Sequence, residues 1–281
     1  MIFISKNSKS KLGWAVSACF SIHVHGKEIT LLNRIQSYFK GAGNIKVDRK
    51  DSSIYYSVTS IKDLTKIIIP HFENCPLLTQ KRADFLLFKR IVILMSNKEH
   101  LTAEGLRNII SIRAAMNNGL SDVLKEHFTD LTLVERPVVE LTDIGDFNWI
   151  VGFVDGGGGG SFGILITKAP VSTGYSVGLR FTITQHVKDL KLIENFVKYF
   201  NCGWVMVNSN RPIAHFIVSN LSDIIQKIYL LFLKYPLESE KFLDFNDFVE
   251  IASIIKSKNH LTEGGLDQIR SIKSRMNRGR K

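Results

Sequence analysis

The chain has 281 residues, 44% of them hydrophobic, which is enough to bury the core of one large domain or two ordinary ones. Lys and Arg outnumber Asp and Glu by 37 to 26, and the resulting formal charge of +11 favours a polyanionic partner such as nucleic acid. A ribosome-like or membrane-surface partner would be favoured by the same sign of charge. The three cysteines are widely spaced, which argues against a disulfide framework or a zinc site. The sequence shows no signal peptide and no apolar run of about 20 residues, which predicts a soluble, intracellular chain with no membrane partner.

The first half of the chain reads as strands followed by helices. Segments 1–5 and 14–25 alternate in polarity around a polar turn, which predicts an antiparallel strand pair. A helix over 28–39 and two further strands follow. Apolar residues three and four apart then predict helices over 61–69 and 83–95. A closing helix is predicted from an N-cap at Thr102 to a C-cap at Gly119.

The same pattern recurs in the second half. Residues 98–119 (KEHLTAEGLRNIISIRAAMNNG) and 258–279 (KNHLTEGGLDQIRSIKSRMNRG) are identical at twelve of 22 positions, with a constant offset of 160. The match extends upstream, where FSIHVH at 20–25 corresponds to FTITQH at 181–186. Lys81, Asp84, Phe85 and Phe88 likewise correspond to Lys241, Asp244, Phe245 and Phe248. Thr262 and Gly279 are the matching cap predictions.

The repeat predicts two copies of one α+β domain, each with one antiparallel sheet. We assign residues 1–119 to the first copy, 120–146 to a surface linker and 147–281 to the second copy.

The segment WIVGFVDG at 149–156, followed by a strand hairpin, resembles the LAGLIDADG motif of homing endonucleases, and KSKLG, FTITQH, NKEHLT and the terminal MNRG extend the resemblance over nearly the whole chain. It is similar to single-chain members encoded in fungal mitochondrial introns, which implies a mitochondrial location. The implied fold is α+β, a pseudo-twofold pair of αββαββα domains whose sheets form a saddle over double-stranded DNA. In such proteins an acid at the end of each motif helix holds Mg²⁺ at the scissile phosphate.

The sequence departs from this pattern in both halves. The metal-binding acid of the second motif is expected two residues after Asp155, where Gly157 stands, and the next three residues are also glycine. Asp155 matches an earlier Asp of the motif that caps the helix end. Met1 aligns with Phe162, so the first motif helix is expected to be absent. GGGGS at 157–161 has the composition of a flexible linker, so an engineered origin and drift stay open alternatives.

Strand alternation predicts a nucleic-acid-binding face. Outward positions on strands 14–25 and 175–186 carry polar groups that can reach base edges in a major groove. These are Ser17, Ser21, His23, Arg180, Thr182 and Thr184. An ordinary solvated sheet face is the alternative interpretation.

Basic and polar turns at 5–11, 46–52 and 208–212 are candidates for phosphate contact, although solvated turns have the same composition. The predicted contacts are Lys9, Lys11, Lys46, Arg49, Lys50, Lys168, Asn208, Asn210 and Arg211. His23 and His25 lack a third ligand for a metal site. We interpret Lys98, His100, Lys258 and His260 as structural, because they precede capped helices.

The resulting hypothesis is a homing-endonuclease-like protein that binds double-stranded DNA but whose metal-dependent cleavage is lost or impaired, with no catalytic residue and no cofactor in the chain as written. One alternative is an RNA-binding intron maturase or a mitochondrial ribosome-associated protein. Another is an enzyme whose missing helix comes from a second polypeptide. An apolar face on helix 149–155 is also expected to be exposed and then covered by a partner chain, a self-dimer or the linker.

Overall fold

A computed structural model describes residues 1–48, 52–140, 144–156 and 160–279. The chain divides into two compact units, unit 1 (Met1–Leu141) and unit 2 (Thr142–Lys281). None of the helices in these described ranges combines the length and the apolar character needed to cross a bilayer.

Unit 1 contains five strands and six α-helices in its described residues. The strands are β1 (Ile2–Lys6), β2 (Trp14–Ala18), β3 (Phe20–His25), β4 (Asn44–Val47) and β5 (Ser53–Val58). The helices are α1 (Ile29–Tyr38), α2 (Ile61–Asp63), α3 (Ile69–Asn74), α4 (Lys81–Ser96), α5 (Ala103–Ala114) and α6 (Asp122–His127). A π-helical segment, Leu64–Ile68, joins α2 to α3.

The strands of unit 1 form two antiparallel sheets, β1-β2 and β3-β5-β4. The prediction of one sheet in this copy is therefore wrong. The β1 ladder ends at the Ile2–Ala18 pair and the β5 ladder begins at Phe20–Val58, so Cys19 belongs to neither. The Cys19 backbone N–H instead donates to the carbonyl of Met1 at 2.8 Å.

The core of unit 1 lies between the sheets and the helices. Alternate residues of β5 are buried, because every second side chain of a strand points to the same face. Ile54, Tyr56 and Val58 of this strand pack with Leu87 and Ile91 of α4 in one apolar cluster.

Residues 120–140 pack on the rest of unit 1. Phe128 lies against Trp14 with ring centroids 5.4 Å apart. The Arg136 guanidinium donates to both carboxylate oxygens of Asp84, at 2.8 and 2.9 Å, and to the Ala115 carbonyl at 3.1 Å. This part of the segment that we assigned to a linker is thus fixed to α4 and α5.

Unit 2 contains four strands and six α-helices among its described residues. The helices are α7 (Phe147–Asp155), α8 (Leu190–Phe200), α9 (Leu221–Asp223), α10 (Leu230–Lys234), α11 (Lys241–Lys256) and α12 (Glu263–Ser274). The strands are β6 (Ser161–Lys168), β7 (Tyr175–His186), β8 (Trp204–Val207) and β9 (Ile213–Val218). They form one antiparallel sheet in the order β6-β7-β9-β8, as predicted for this copy.

Unit 2 repeats an irregularity of unit 1. A second π-helical segment, Ile224–Tyr229, lies between α9 and α10, at the position that Leu64–Ile68 occupies in unit 1. Each segment follows a polar N-cap, Ser60 in unit 1 and Asn220 in unit 2.

The predicted starts of the closing helices are confirmed, whereas their predicted ends are wrong. The hydroxyls of Thr102 and Thr262 accept the N–H groups of Gly105 and Gly265. However, α5 ends at Ala114 and α12 at Ser274, well before the predicted C-caps Gly119 and Gly279.

Tertiary hydrogen bonds explain the early ends. The Asn117 N–H donates to the Asp84 carboxylate at 2.7 Å, and the Asn277 N–H donates to the Asp244 carboxylate at 2.9 Å. These two N–H groups bond to α4 and α11 and not to carbonyl groups of their own helices, so α5 and α12 do not continue to these residues.

The apolar face expected to be exposed on helix 149–155 is largely covered within the chain. Ile150, Val151 and Val154 are buried. Trp149 and Phe153 are half-buried and lie within ring-contact distance of Phe196 on α8. The expectation of a large exposed patch is wrong, because aromatic residues of α8 cover this helix.

Candidate functional site

The three-stranded sheet of unit 1 presents a polar outer face opposite its core. Registered pairs place His23 beside Tyr55 and Tyr55 beside Lys46, so these three side chains form a row across the sheet. Ser21, Ser57 and Asn44 form the adjacent row. We call these six residues the outer face of unit 1.

The two histidines of β3 have protein partners. His23 Nε2 lies 2.8 Å from Ser53 Oγ, and His25 Nδ1 accepts the N–H of Lys27 at 3.3 Å. His25 therefore caps the short helix that follows β3. These contacts orient both rings within the protein.

The four-stranded sheet of unit 2 has an equivalent outer face. Thr184 pairs with His215, which pairs with Met206, and Thr182 pairs with Ile217, which pairs with Trp204. Arg180 lies further along the same face of β7. We define the outer face of unit 2 as Arg180, Thr182, Thr184, Trp204, Met206 and His215.

This face combines hydrogen-bonding groups with exposed apolar surface. Thr184 Oγ1 lies 2.8 Å from His215 Nδ1. The Arg180 Nε is buried and has no hydrogen-bond partner within the described part of the chain. Trp204 and Met206 are each 45% exposed and add apolar surface to this face.

The remaining predicted contacts lie at strand ends and turns. Lys9 and Lys11 are exposed in the β1–β2 turn, Ser17 is exposed on β2, and Lys168 ends β6. Arg49 and Lys50 lie outside the described residues.

In the β8–β9 turn, Asn210 and Arg211 are exposed, whereas the Asn208 side chain closes the turn. Its carbonyl oxygen accepts the N–H groups of Asn210 and Arg211 at 2.9 and 3.0 Å. That oxygen therefore has a structural role.

The Lys-x-His pairs ahead of α5 and α12 adopt the same local structure. Lys98 and Lys258 both have φ +62°, in the left-handed region. His100 and His260 each bury a ring Nδ1 that has no hydrogen-bond partner among the described residues. Burial lowers the pKa of His100.

Asp155 ends α7 and joins it to the turn before α11. Its carboxylate accepts the N–H groups of Glu238 at 2.7 Å and Ser239 at 3.3 Å, and also the Ser239 hydroxyl. The ammonium of Lys241 donates to the Val154 carbonyl at the end of the same helix. Asp155 therefore anchors the helix end.

The residues that follow this helix do not supply the several oxygen ligands that Mg²⁺ prefers. Three hydrogen-bond donors already contact Asp155, and residues 156–160 are glycines without side chains. Gly157 itself lies outside the described residues. Within the described ranges, no group of three or more His, Cys, Asp or Glu side chains is placed to hold a metal ion.

Both outer faces also contain residues that were not predicted from the sequence. These are Asn44, Tyr55 and Ser57 in unit 1 and Trp204, Met206 and His215 in unit 2. Their own strands show the same period-two alternation, so applying it beyond the first hairpin of each copy would have found them.

The two sheet-and-helix units and their polar outer faces define the protein class. Residues 1–92 and 150–252 match the family model described as LAGLIDADG endonuclease, and the chain belongs to this family of DNA-binding nucleases. It is similar to two proteins of Neurospora crassa, "Probable intron-encoded endonuclease 3" (40% identical over 95% of this chain) and "Probable intron-encoded endonuclease 2" (39% over 98%). It spans 50% and 61% of their lengths.

Solved structures agree with this assignment. The I-SmaMI LAGLIDADG homing endonuclease bound to cleaved DNA superposes with a TM-score of 0.97 at 40% identity, covering 100% of this chain and 93% of that one. The I-LtrWI homing endonuclease bound to target DNA gives 0.95 at 38% identity, covering 100% and 93%. The predicted α+β homing-endonuclease fold is confirmed.

Proposed function

We propose that the chain binds double-stranded DNA through the outer faces of its two units. The observation that carries the proposal is the outer face of each unit, which presents hydrogen-bonding side chains, on a chain whose similar solved structures hold DNA. Guanidinium, hydroxyl and imidazole groups on strands can bond to base edges in a major groove. The exposed lysines Lys9, Lys11 and Lys168 would contact phosphates.

We further propose that metal-dependent phosphodiester cleavage is lost or impaired in the chain as written. Support comes from Gly157, which stands where the family resemblance places the acid, and from the hydrogen bonds that hold Asp155. Binding and cleavage are separable, because phosphate and base contacts do not require the metal ligands. A mitochondrial location is part of this proposal and is supported by the fungal intron-encoded relatives.

The binding proposal is tested by selecting duplexes from a randomised DNA pool and measuring their affinity by fluorescence anisotropy. We expect Arg180→Ala to weaken binding to the selected duplex by about tenfold, as loss of one base contact does. Arg270→Ala removes one arginine from α12 in the same unit and is the matched control. Equal affinities of the two variants, or preferential binding to RNA of the same sequence, would contradict the proposal.

The cleavage proposal is tested on a supercoiled plasmid carrying the selected duplex, with Mg²⁺ or Mn²⁺. We expect no linear product from the unaltered chain. Gly157→Glu restores one carboxylate and is expected to produce nicked circles, whereas Gly157→Gln, which has the same length without the charge, should not. Efficient double-strand cleavage by the unaltered chain would refute the proposed loss.

A further inference from the structure

The outer edge of the unit 2 sheet differs in chemistry from the equivalent edge of unit 1. Strands β4 and β8 are edge strands of their sheets, and the repeat offset of 160 relates them residue by residue and in the same register. On the outer face, β4 presents Asn44 and Lys46, whereas β8 presents Trp204 and Met206 at the matching positions. All four side chains are exposed. Two polar groups of unit 1 are therefore replaced by two large apolar groups in unit 2.

The position of these apolar groups distinguishes them from scattered exposed residues. An edge strand with exposed apolar side chains can pair with other chains, and polar or charged residues at the edge, such as Asn44 and Lys46, prevent this. In unit 2 the apolar edge continues into hydrogen-bonding groups, because Met206 pairs with His215 and His215 with Thr184. A molecule that covers this edge must therefore offer apolar and polar groups side by side.

The edges of base pairs in a major groove have this mixed character. Thymine is the base that presents an apolar group there, its C5-methyl, and apolar side chains recognise it. Guanine and adenine present acceptors, which an ammonium group such as that of Lys46 can reach. The Met206 side chain has no hydrogen-bond donor. The unit 2 edge therefore favours thymine, whereas the unit 1 edge favours purine acceptors.

We propose that Trp204 and Met206 recognise the C5-methyl groups of thymines in the duplex bound by unit 2. The inference rests on the proposed DNA-binding function and specifies part of its target. Residues two apart on a strand are separated by about 6.8 Å, which matches two base-pair steps of about 3.4 Å. Where β8 follows the groove, the two methyl groups are therefore two base pairs apart.

His215 can supply a hydrogen bond beside the Met206 contact. Its Nδ1 lies 2.8 Å from Thr184 Oγ1, so Nε2 is the ring atom that can reach a base. When the Thr184 hydroxyl donates to Nδ1, the neutral ring carries its proton on Nε2. That proton can be donated to thymine O4 or adenine N7, which are the acceptors of an A·T pair in the major groove.

The test replaces each thymine of a selected duplex in turn by deoxyuridine, which lacks only the C5-methyl group and keeps every hydrogen-bonding atom. Fluorescence anisotropy with the full chain measures the affinity. We expect about fourfold weaker binding at each of two thymines that lie two base pairs apart, because one buried methyl group contributes about this factor. The change is made in the DNA, so the folding of the protein is unaffected.

Variants of the protein assign each methyl group to a side chain. Met206→Ala and Trp204→Ala should each abolish the deoxyuridine effect at one of the two positions. Leu233→Ala is the matched control, because Leu233 is an apolar residue of α10 in the same unit, 57% exposed and outside the sheet. This variant should retain both effects. Met206→Lys should shift the preferred base at its position towards guanine.

Equal affinities of the thymine and deoxyuridine duplexes would overturn the inference, as would a penalty that persists in both Met206→Ala and Trp204→Ala. Duplex binding itself would stand in either case. Absent duplex binding would instead refute the proposed function together with this inference. Sedimentation without DNA adds one further arm. Self-association that Met206→Ala abolishes would assign the apolar edge to a second copy of the chain and would also overturn the inference.

Discussion

Asp155 shows how one side chain joins two elements that are distant in sequence. The resemblance predicted that this residue caps a helix end. Its partners Glu238 and Ser239 lie more than 80 residues later, and no spacing in the sequence indicates them. The structure adds that the carboxylate also fixes the turn leading into α11.

Asp155→Ala removes every hydrogen bond that this carboxylate accepts and leaves the two backbone N–H groups to find other partners. We expect the free energy of unfolding to fall by about 2 kcal/mol, the usual cost of losing charge-assisted hydrogen bonds. Urea denaturation monitors the change. Asp267→Ala, whose side chain is 71% exposed, is the control and should change stability by less than about 0.5 kcal/mol. Equal losses would contradict this role of Asp155.

Asp84 makes the stability of unit 1 dependent on pH. Burial alone would raise the pKa of its carboxyl group, but hydrogen bonds from Arg136 and the Asn117 N–H, with the charges of Arg136 and Arg113, lower the pKa below its usual value. The folded state therefore binds this proton more weakly than the unfolded state. The resulting stabilisation is present above the unfolded pKa and is lost as the pH falls through the folded pKa.

We expect Asp84→Asn to cost about 1 kcal/mol at neutral pH, a value reduced for partial exposure. The difference from the unaltered chain should shrink as the pH falls below about 4. Urea unfolding at neutral pH and at about pH 3 measures it. A constant difference across this range would show that charge is not the cause. Asp122→Asn, at a side chain that is 90% exposed, is the control.

Among the elements, helix starts were easier to predict than helix ends. The Thr102 and Thr262 caps depend on bonds three residues away, which a short sequence window contains. The ends depend on Asp84 and Asp244, which lie 33 residues upstream of the N–H groups they accept. The division of the unit 1 strands at Cys19 is likewise set by which neighbours pair with them.

Two adjacent glycines of α12 should respond oppositely to alanine. A Cβ at Gly264 meets nothing within 4 Å, whereas one at Gly265 would lie 2.0 Å from the Asn259 carbonyl oxygen. We expect Gly264→Ala to stabilise by up to about 1 kcal/mol through helix propensity and Gly265→Ala to destabilise by about 2 kcal/mol through the clash. Thermal unfolding distinguishes the two. Changes of the same sign would show that this helix start is not rigid.

At the scale of the whole molecule, more of the fold than of the candidate nucleic-acid-binding faces could be predicted from the sequence. The duplication and the strand alternation predicted two α+β units and the outward polarity of their sheets. The rows formed by His23, Tyr55 and Lys46, or by Thr184, His215 and Met206, depend on strand register, which pairs residues from separate hairpins.

The net charge of +11 predicts salt-dependent binding to duplex DNA. Released counterions make the logarithm of the association constant fall linearly with the logarithm of salt concentration, by about 0.9 per neutralised phosphate. Lys9→Ala and Lys11→Ala should each reduce this slope by about 1, and Lys125→Ala on α6 is the control. Anisotropy titrations at several salt concentrations measure the slopes. An affinity unaffected by salt would contradict phosphate binding.

The paired π-helical segments also bear on the ancestry of the protein. Leu64–Ile68 and Ile224–Tyr229 place the same rare widening of the hydrogen-bond ladder at the same point of each unit. Independent acquisition of one such local insertion twice, at matching sites, requires two coincident events, whereas inheritance requires one. We infer that a single-unit ancestor already had this irregularity before its gene was duplicated. Single-unit relatives with a regular helix at this point would contradict that history.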